Sequence, residues 1–100
     1  MNKTFADSLR ETRRLTILRL LSEQNAYMAN SSVLQAGLHH LGVSSGRDDV
    51  LTDLAWLKDQ GLVDLREAVE GVQIATLRSR GQEVANGHVA VPGVTRPHAR

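Results

Sequence analysis

The sequence predicts an α+β fold in which three helices share one core and lead into a two-stranded hairpin and a short closing helix. Three observations predict it. Apolar residues recur with a helical period in three stretches up to Gln60, the period changes to that of strands after Gly61, and glycines fall at the joints. One hundred residues, 41% of them hydrophobic, provide one modest core and no second. The expected organisation is a domain over 1–87 and an extended basic C-terminal arm over 88–100.

The first helix is expected to open at Thr4, with Asp7 three residues on in a capping-box pattern, and to run to about Gln24. On a helical wheel it shows two apolar stripes. Ile17, Leu18 and Leu21 suit the domain core, while Phe5, Leu9, Thr16 and Leu20 form a second stripe suited to another subunit. Asn25 to Ala29 read as a connector. Asn30, Ser31 or Ser32 can cap a second helix, whose Val33, Leu34, Gly37, Leu38 and Leu41 share one face, and Gly42 suits its stop. Gly42-Val43-Ser44-Ser45 then lead into a third helix from about Gly46 to Gln60. Ser45 with Asp48 fits its cap, and Val50, Leu51, Leu54 and Leu57 form its buried stripe. Leu62–Arg66 and Val72–Leu77 alternate as strands joined by Glu67–Gly71. Ser79 with Gln82 can open the last helix, which Asn86-Gly87 closes.

The net charge of +1 conceals an uneven distribution. Residues 1–20 hold five basic and two acidic side chains, residues 21–78 four and eight, and residues 79–100 three and one. The ends are basic and the middle acidic, and a partner meets these local fields rather than the total. The absence of cysteine excludes disulfides, thiolate catalysis and Cys-ligated zinc. His39 and His40 are adjacent on a helix and point about 100° apart, which is unsuited to chelation. His88 and His98 lie in or near the arm. No nucleophile–base constellation, phosphate loop or nucleotide fingerprint occurs, so the expectation is a non-enzymatic protein without cofactor or metal. No apolar run approaches the roughly 20 residues of a membrane span and no signal-peptide pattern opens the chain. A soluble, cytoplasmic protein is expected.

Helix, helix, tight turn, helix, hairpin, helix is the order of a winged helix-turn-helix. Leu54-Ala55-Trp56-Leu57-Lys58-Asp59-Gln60-Gly61-Leu62-Val63 looks like a recognition helix entering a wing. Leu77-Arg78-Ser79-Arg80-Gly81 resembles the entry to the last helix of such domains, with Arg78 where threonine is usual. A closer resemblance spans most of the chain. Met1–Phe5, Arg13–Leu21, Thr52–Leu57 and the tail Val91-Pro92-Gly93-Val94-Thr95-Arg96-Pro97 resemble a family of small winged-helix proteins of Mu-like prophages, described as arsenic-repressor-like (ArsR-like) transcriptional regulators. The resemblance implies a dimeric repressor that binds double-stranded DNA.

In such a domain the N-terminal turn and exposed face of the recognition helix enter the major groove. Ser44 and Ser45 suit phosphate, Arg47 guanine and Gln60 adenine, with Thr52 on the same face. The available cations are Lys3, Arg10, Arg13, Arg14 and the arm's Arg96 and Arg100, of which Arg10, Arg13, Arg14 and Arg96 are expected to support them on the DNA backbone. Phe5, Leu9 and Leu20 are the expected homodimer contacts. An alternative reading is an adaptor that binds a phage or host protein. On the wheel Asp49, Asp53 and Trp56 point away from the buried stripe, an acidic face with an interface-type aromatic. The wing tip, with Glu67 and Glu70, adds negative charge where DNA-binding wings carry lysine or arginine. The competing possibility for Trp56 is that the wing, the arm or a second subunit covers it.

Overall fold

The structure is a computed structural model and describes residues 2–97. Arg100, one of the available cations, and His98 lie outside the described residues. Helix α1 spans Phe5–Ser22. Thr4 Oγ1 accepts from the Asp7 N–H, and the Asp7 carboxylate accepts from the Thr4 N–H in return, so two of the otherwise unpaired first-turn donors are satisfied. The Thr4 backbone and then its hydroxyl, together with Arg10, hold the Asp7 carboxyl below its ordinary value. After α1 the chain makes a single 3-10 turn, Asn25–Tyr27, in which Ala26 and Tyr27 take positive φ. That reversal aims the connector into a short strand β1, Met28–Asn30, which three residues of sequence do not announce.

Asn30 is the residue that caps α2 (Ser31–His40), accepting from the Val33 N–H at 2.8 Å. Ser31, buried in the first turn, accepts from the Gln73 N–H instead. The face expected to be apolar and buried is narrower than its pattern. Leu34 and Leu38 are in the core, whereas Val33 and Leu41 are 53% and 55% exposed. Gly42, at φ +80, ends α2 as expected. Helix α3 spans Arg47–Asp59. Its cap differs from the Ser45–Asp48 expectation: Gly46 is the capping position, its N–H donates to the Asp49 carboxylate, and Ser45 Oγ donates to the Val43 carbonyl.

Strands β2 (Val63–Val69) and β3 (Val72–Leu77) form the wing hairpin with a two-residue turn at Glu70-Gly71. β3 is the central strand of a three-stranded antiparallel sheet ordered β1-β3-β2, with Ala29 opposite Ala75 and Leu65 also opposite Ala75 on the other side. Helix α4, Ser79–Ala85, begins at Arg78 as N-cap without a side-chain bond, so Ser79 does not cap it. Gly81 is buried in its first turn, where a side chain would run into the Leu62 carbonyl and the Leu77 methyls. That close approach accounts for the glycine in the Leu77–Gly81 motif.

The core collects Ile17, Leu18 and Leu21 from α1, Leu34 and Leu38 from α2, Val50, Leu54 and Leu57 from α3, and Leu62, Val63 and Ala75 from the wing. These elements assemble as a winged helix-turn-helix, as the sequence predicts. Over 88–97 the expected extended arm is instead a packed strap. Val91 and Val94 are 5% and 8% exposed within the core cluster, and the Thr95 N–H donates to the Glu11 carbonyl of α1 at 3.2 Å. Two valines three residues apart bury enough apolar surface to hold the segment down.

Candidate nucleic-acid interface

α3 and the wing place their ends together. Arg47, in the first turn of α3, donates from Nη2 to the Gly71 carbonyl of the wing turn at 2.8 Å. Gly71, at φ +76, has no side chain in the space that the guanidinium occupies. Asp48, Thr52, Ala55 and Asp59 form the exposed ridge of α3, at the helical spacing of one face. Lys58 and Asp59 flank a groove of about 420 Å³ between α3 and the wing, closed on its other side by Leu65, Arg66, Glu67 and Gln73. Ser44 is exposed and sits 3.3 Å from His39 Nδ1, while the half-buried Ser45 accepts on its carbonyl from Gln35. Gln60 is the C-cap of α3. It lies about 20 Å along the helix from Arg47, so these two do not serve one contact.

The expected cations divide. Arg10 is exposed and pairs with Asp7 at 3.2 Å, and Lys3 pairs with Glu11 at 2.8 Å. Arg96 is exposed at the end of the strap. Arg13 and Arg14, expected on the DNA backbone, are only 8% and 9% exposed and belong to the interior. Both pair with Asp53, which is completely buried: Arg13 Nε bonds Oδ2, and Arg14 Nε bonds Oδ1 at 3.0 Å. Arg14 also donates from Nη1 to the Gly93 carbonyl of the strap at 3.1 Å.

Asp53 and Trp56 therefore leave the acidic face on which the wheel had placed them. Asp53 points inward because α1 brings two guanidiniums to it, which supply the pairing a buried carboxylate requires. Trp56 is half-buried and lies beneath the strap, with the Arg14 guanidinium 3.9 Å from its ring centroid. A Cβ on Gly93 would approach Trp56 Cζ2 to 2.6 Å. Of the three, Asp49 remains exposed, and it is engaged by the Gly46 N–H. A local signal for the inward triad exists. Arg13 and Arg14 stand one turn before Ile17 and Leu18 on the buried face of α1, and Asp53 stands one turn before Leu57 on that of α3.

The second apolar stripe of α1 also divides. Leu20 packs over Gly37 of α2, with its Cδ1 at 3.0 Å from where a Cβ would stand, and so joins its own core. Leu9 is half-buried beside α3, and Phe5 is 81% exposed.

Comparison with known proteins places this geometry in a lineage. The uncharacterized protein gp26 of Escherichia phage Mu is 46% identical over 94 residues, which cover 94% of this chain and 96% of that protein. The chain belongs to the family of Mu gp26. An uncharacterized Haemophilus influenzae protein, 36% identical over 77 residues, extends the gp26 family, with 77% of this chain and 74% of that protein covered. No protein-family model matches the sequence. Among solved structures, H. salinarum RosR grown from NaBr superposes with a TM-score of 0.64 at 17% identity, over 74% of this chain and 66% of that one. The complex structure of RosR-S4 also gives 0.64, at 18% identity, over 81% and 71%. At these identities the likeness of this gp26-family chain to them is one of fold.

Proposed function

We propose that the protein is a DNA-binding winged-helix regulator of a Mu-like phage, acting on double-stranded DNA in the host cytoplasm and without catalysis. The observation that carries this reading is the Arg47–Gly71 bond, which fixes the N-terminus of α3 and the wing turn as one surface. A recognition helix and wing held in register is what groove insertion requires. Ser44, Arg47 and Thr52 provide base and phosphate contacts, and Arg10, Lys58 and Arg96 the exposed positive charge. As a regulator of the arsenic-repressor-like kind it works without a thiolate metal sensor, having no cysteine.

Titrating the full chain with duplex DNA at two salt concentrations tests this. Binding at low salt that weakens steeply as salt rises is expected, and no binding to any duplex at low salt would sink the proposal.

A second reading, a protein-binding adaptor, is favoured by one observation. Asp48 and Asp59 on the ridge of α3, with Glu67 and Glu70 on the wing, are all exposed. This acidic surface suits a basic protein partner. Asp48→Lys with Asp59→Lys separates the two readings: stronger non-specific DNA binding together with lost biological function points to the adaptor.

A further inference from the structure

We propose that the pocket between α2 and the entry to α3 is a phosphate site whose affinity follows the charge of His39. On duplex DNA it holds one backbone phosphate, a step that rests on the DNA-binding reading. The pocket measures about 320 Å³ and is lined by Ser32, Gln35, Ala36 and His39 of α2 and by Ser44 and Ser45. Its frame is already braced. The Gln35 amide donates to the Ser45 carbonyl at 3.2 Å, and Ser45 Oγ donates to the Val43 carbonyl at 2.9 Å. Ser32, His39 and Ser44 are exposed and remain available to a ligand. Among the described residues no carboxylate lines this pocket. The two grooves that flank the ridge of α3 differ: Asp59 and Glu67 line the one toward the wing, and Asp48, Asp49 and Asp53 the one toward α1. Beside α2 a phosphate meets no such fixed negative charge.

His39 supplies the charge and sets the direction of a hydroxyl. Its Nδ1 lies 3.3 Å from Ser44 Oγ. A neutral ring with its proton on Nε2 accepts at Nδ1, which draws the Ser44 hydrogen into the pair and leaves oxygen lone pairs outward. A protonated ring only donates. Ser44 Oγ then accepts from Nδ1, and its own hydrogen turns outward to an oxyanion, in a bond that the adjacent charge strengthens. One proton therefore adds a positive charge and reverses the polarity of the hydroxyl beside it. The charges of the first turn of α3 leave the pocket undisturbed. Arg47 turns to the Gly71 carbonyl of the wing, and Asp49, bonded by the Gly46 N–H, lines the α1 groove with Asp48. His40, next on α2, is exposed outside the lining, and no charged side chain of α1 or the sheet lines it among the described residues. Histidine changes charge between about pH 5 and 8, so the site responds within that range. In a helix-turn-helix the helix before the recognition helix crosses the DNA backbone, which brings α2 to the phosphates.

Anisotropy of a labelled duplex titrated with the full chain, at about pH 5.5 and about pH 8 over a salt series, tests the site. The wild type is expected to bind about fivefold tighter in acid at low salt. Its logarithmic salt dependence should steepen there by about 0.9, the value of one further neutralised phosphate. His39→Gln is expected to bind at both pH values as the wild type does at the higher one, and Ser44→Ala to keep only part of the gain. His40→Gln, outside the pocket, is expected to keep all of it. The three sites are exposed, so circular dichroism should be unchanged. A wild type without the acid gain, or a His39→Gln variant that retains it, would overturn the proposal. Should no duplex bind at either pH, the regulator reading fails and the pocket is judged alone. Inorganic phosphate, mainly a monoanion at about pH 5.5 like a backbone diester, is then titrated into the isotope-labelled chain and followed by NMR. Shifts at Ser32 and Ser44 that vanish in His39→Gln uphold the site. Shifts that are absent, or that His39→Gln leaves unchanged, overturn it.

Discussion

The Arg14 guanidinium lies over the Trp56 ring, 3.9 Å from its centroid, and joins three parts of the chain that are far apart in sequence. Its Nε bonds Asp53 of α3, its Nη1 bonds the Gly93 carbonyl of the strap, and its own helix is α1. A cation on an indole face is attracted by the ring quadrupole, more so where water is excluded. Side chains expected at two separate surfaces thus form one internal joint.

Removing the anion from that joint is expected to be severe. Asp53→Ala leaves two guanidiniums in the interior without their counter-charge, which typically costs about 3–5 kcal/mol. For a domain of this size that corresponds to a melting temperature lower by roughly 15 °C or more. Thermal and guanidinium unfolding followed by circular dichroism provide the check. A loss below about 1 kcal/mol, the ordinary level of a surface pair, would show that the triad is not structural.

The strap can be lifted selectively. Gly93 has φ +100 and lies against Trp56, so Gly93→Ala combines an unfavourable backbone with a side chain that has no room. A loss of about 1–3 kcal/mol is expected. Trp56 is the sole tryptophan, and its fluorescence should shift to the red as the strap loosens. An unchanged spectrum with unchanged stability would show that the strap does not cover the ring.

The latch between α3 and the wing should affect binding more than stability. Arg47 is exposed, and Arg47→Ala is expected to alter unfolding free energy by no more than about 0.5 kcal/mol. Faster hydrogen exchange is expected at the wing turn, together with weaker binding of duplex DNA. Wild-type DNA affinity in this variant would remove Arg47 from the interface.

The capping box predicts a pH dependence. The Asp7 carboxyl is held below its ordinary value by the Thr4 backbone and hydroxyl, helped by Arg10. A depressed carboxyl contributes stability that is present above its unfolded value, and that stability is lost as pH falls through the lower, folded value. The first turn of α1 is therefore expected to fray only in acid below about pH 4. Carboxyl NMR should give Asp7 a low midpoint in the native chain and one closer to ordinary in Thr4→Ala. Identical midpoints would refute the bond.

How much was legible depends on the distance over which each feature is decided. The Thr4–Asp7 box, the stop at Gly42 and the glycine of the wing turn at Gly71 are announced by residue type, and the α2 cap is narrowed to Asn30, Ser31 or Ser32, because these features rest on bonds spanning a few residues. β1 escaped notice because a three-residue strand exists only through its pairing with β3. On the wheel Asp53 lies at the margin of the α3 stripe and Trp56 outside it. Helical period shows which residues share a face, and not which neighbours cover it.

By itself, then, the sequence determined the order of the four helices and the two wing strands and the winged helix-turn-helix they build, because glycines and periodicity act locally. Tertiary structure decided which charges remain outside. It drew Arg13, Arg14 and Asp53 inward as one neutralising group, because a buried carboxylate needs cations that only packing can deliver. It folded the C-terminal segment over Trp56, because Val91 and Val94 gain more from the core than from water. It left the Arg47–Gly71 corner at the surface, where α3 meets the wing.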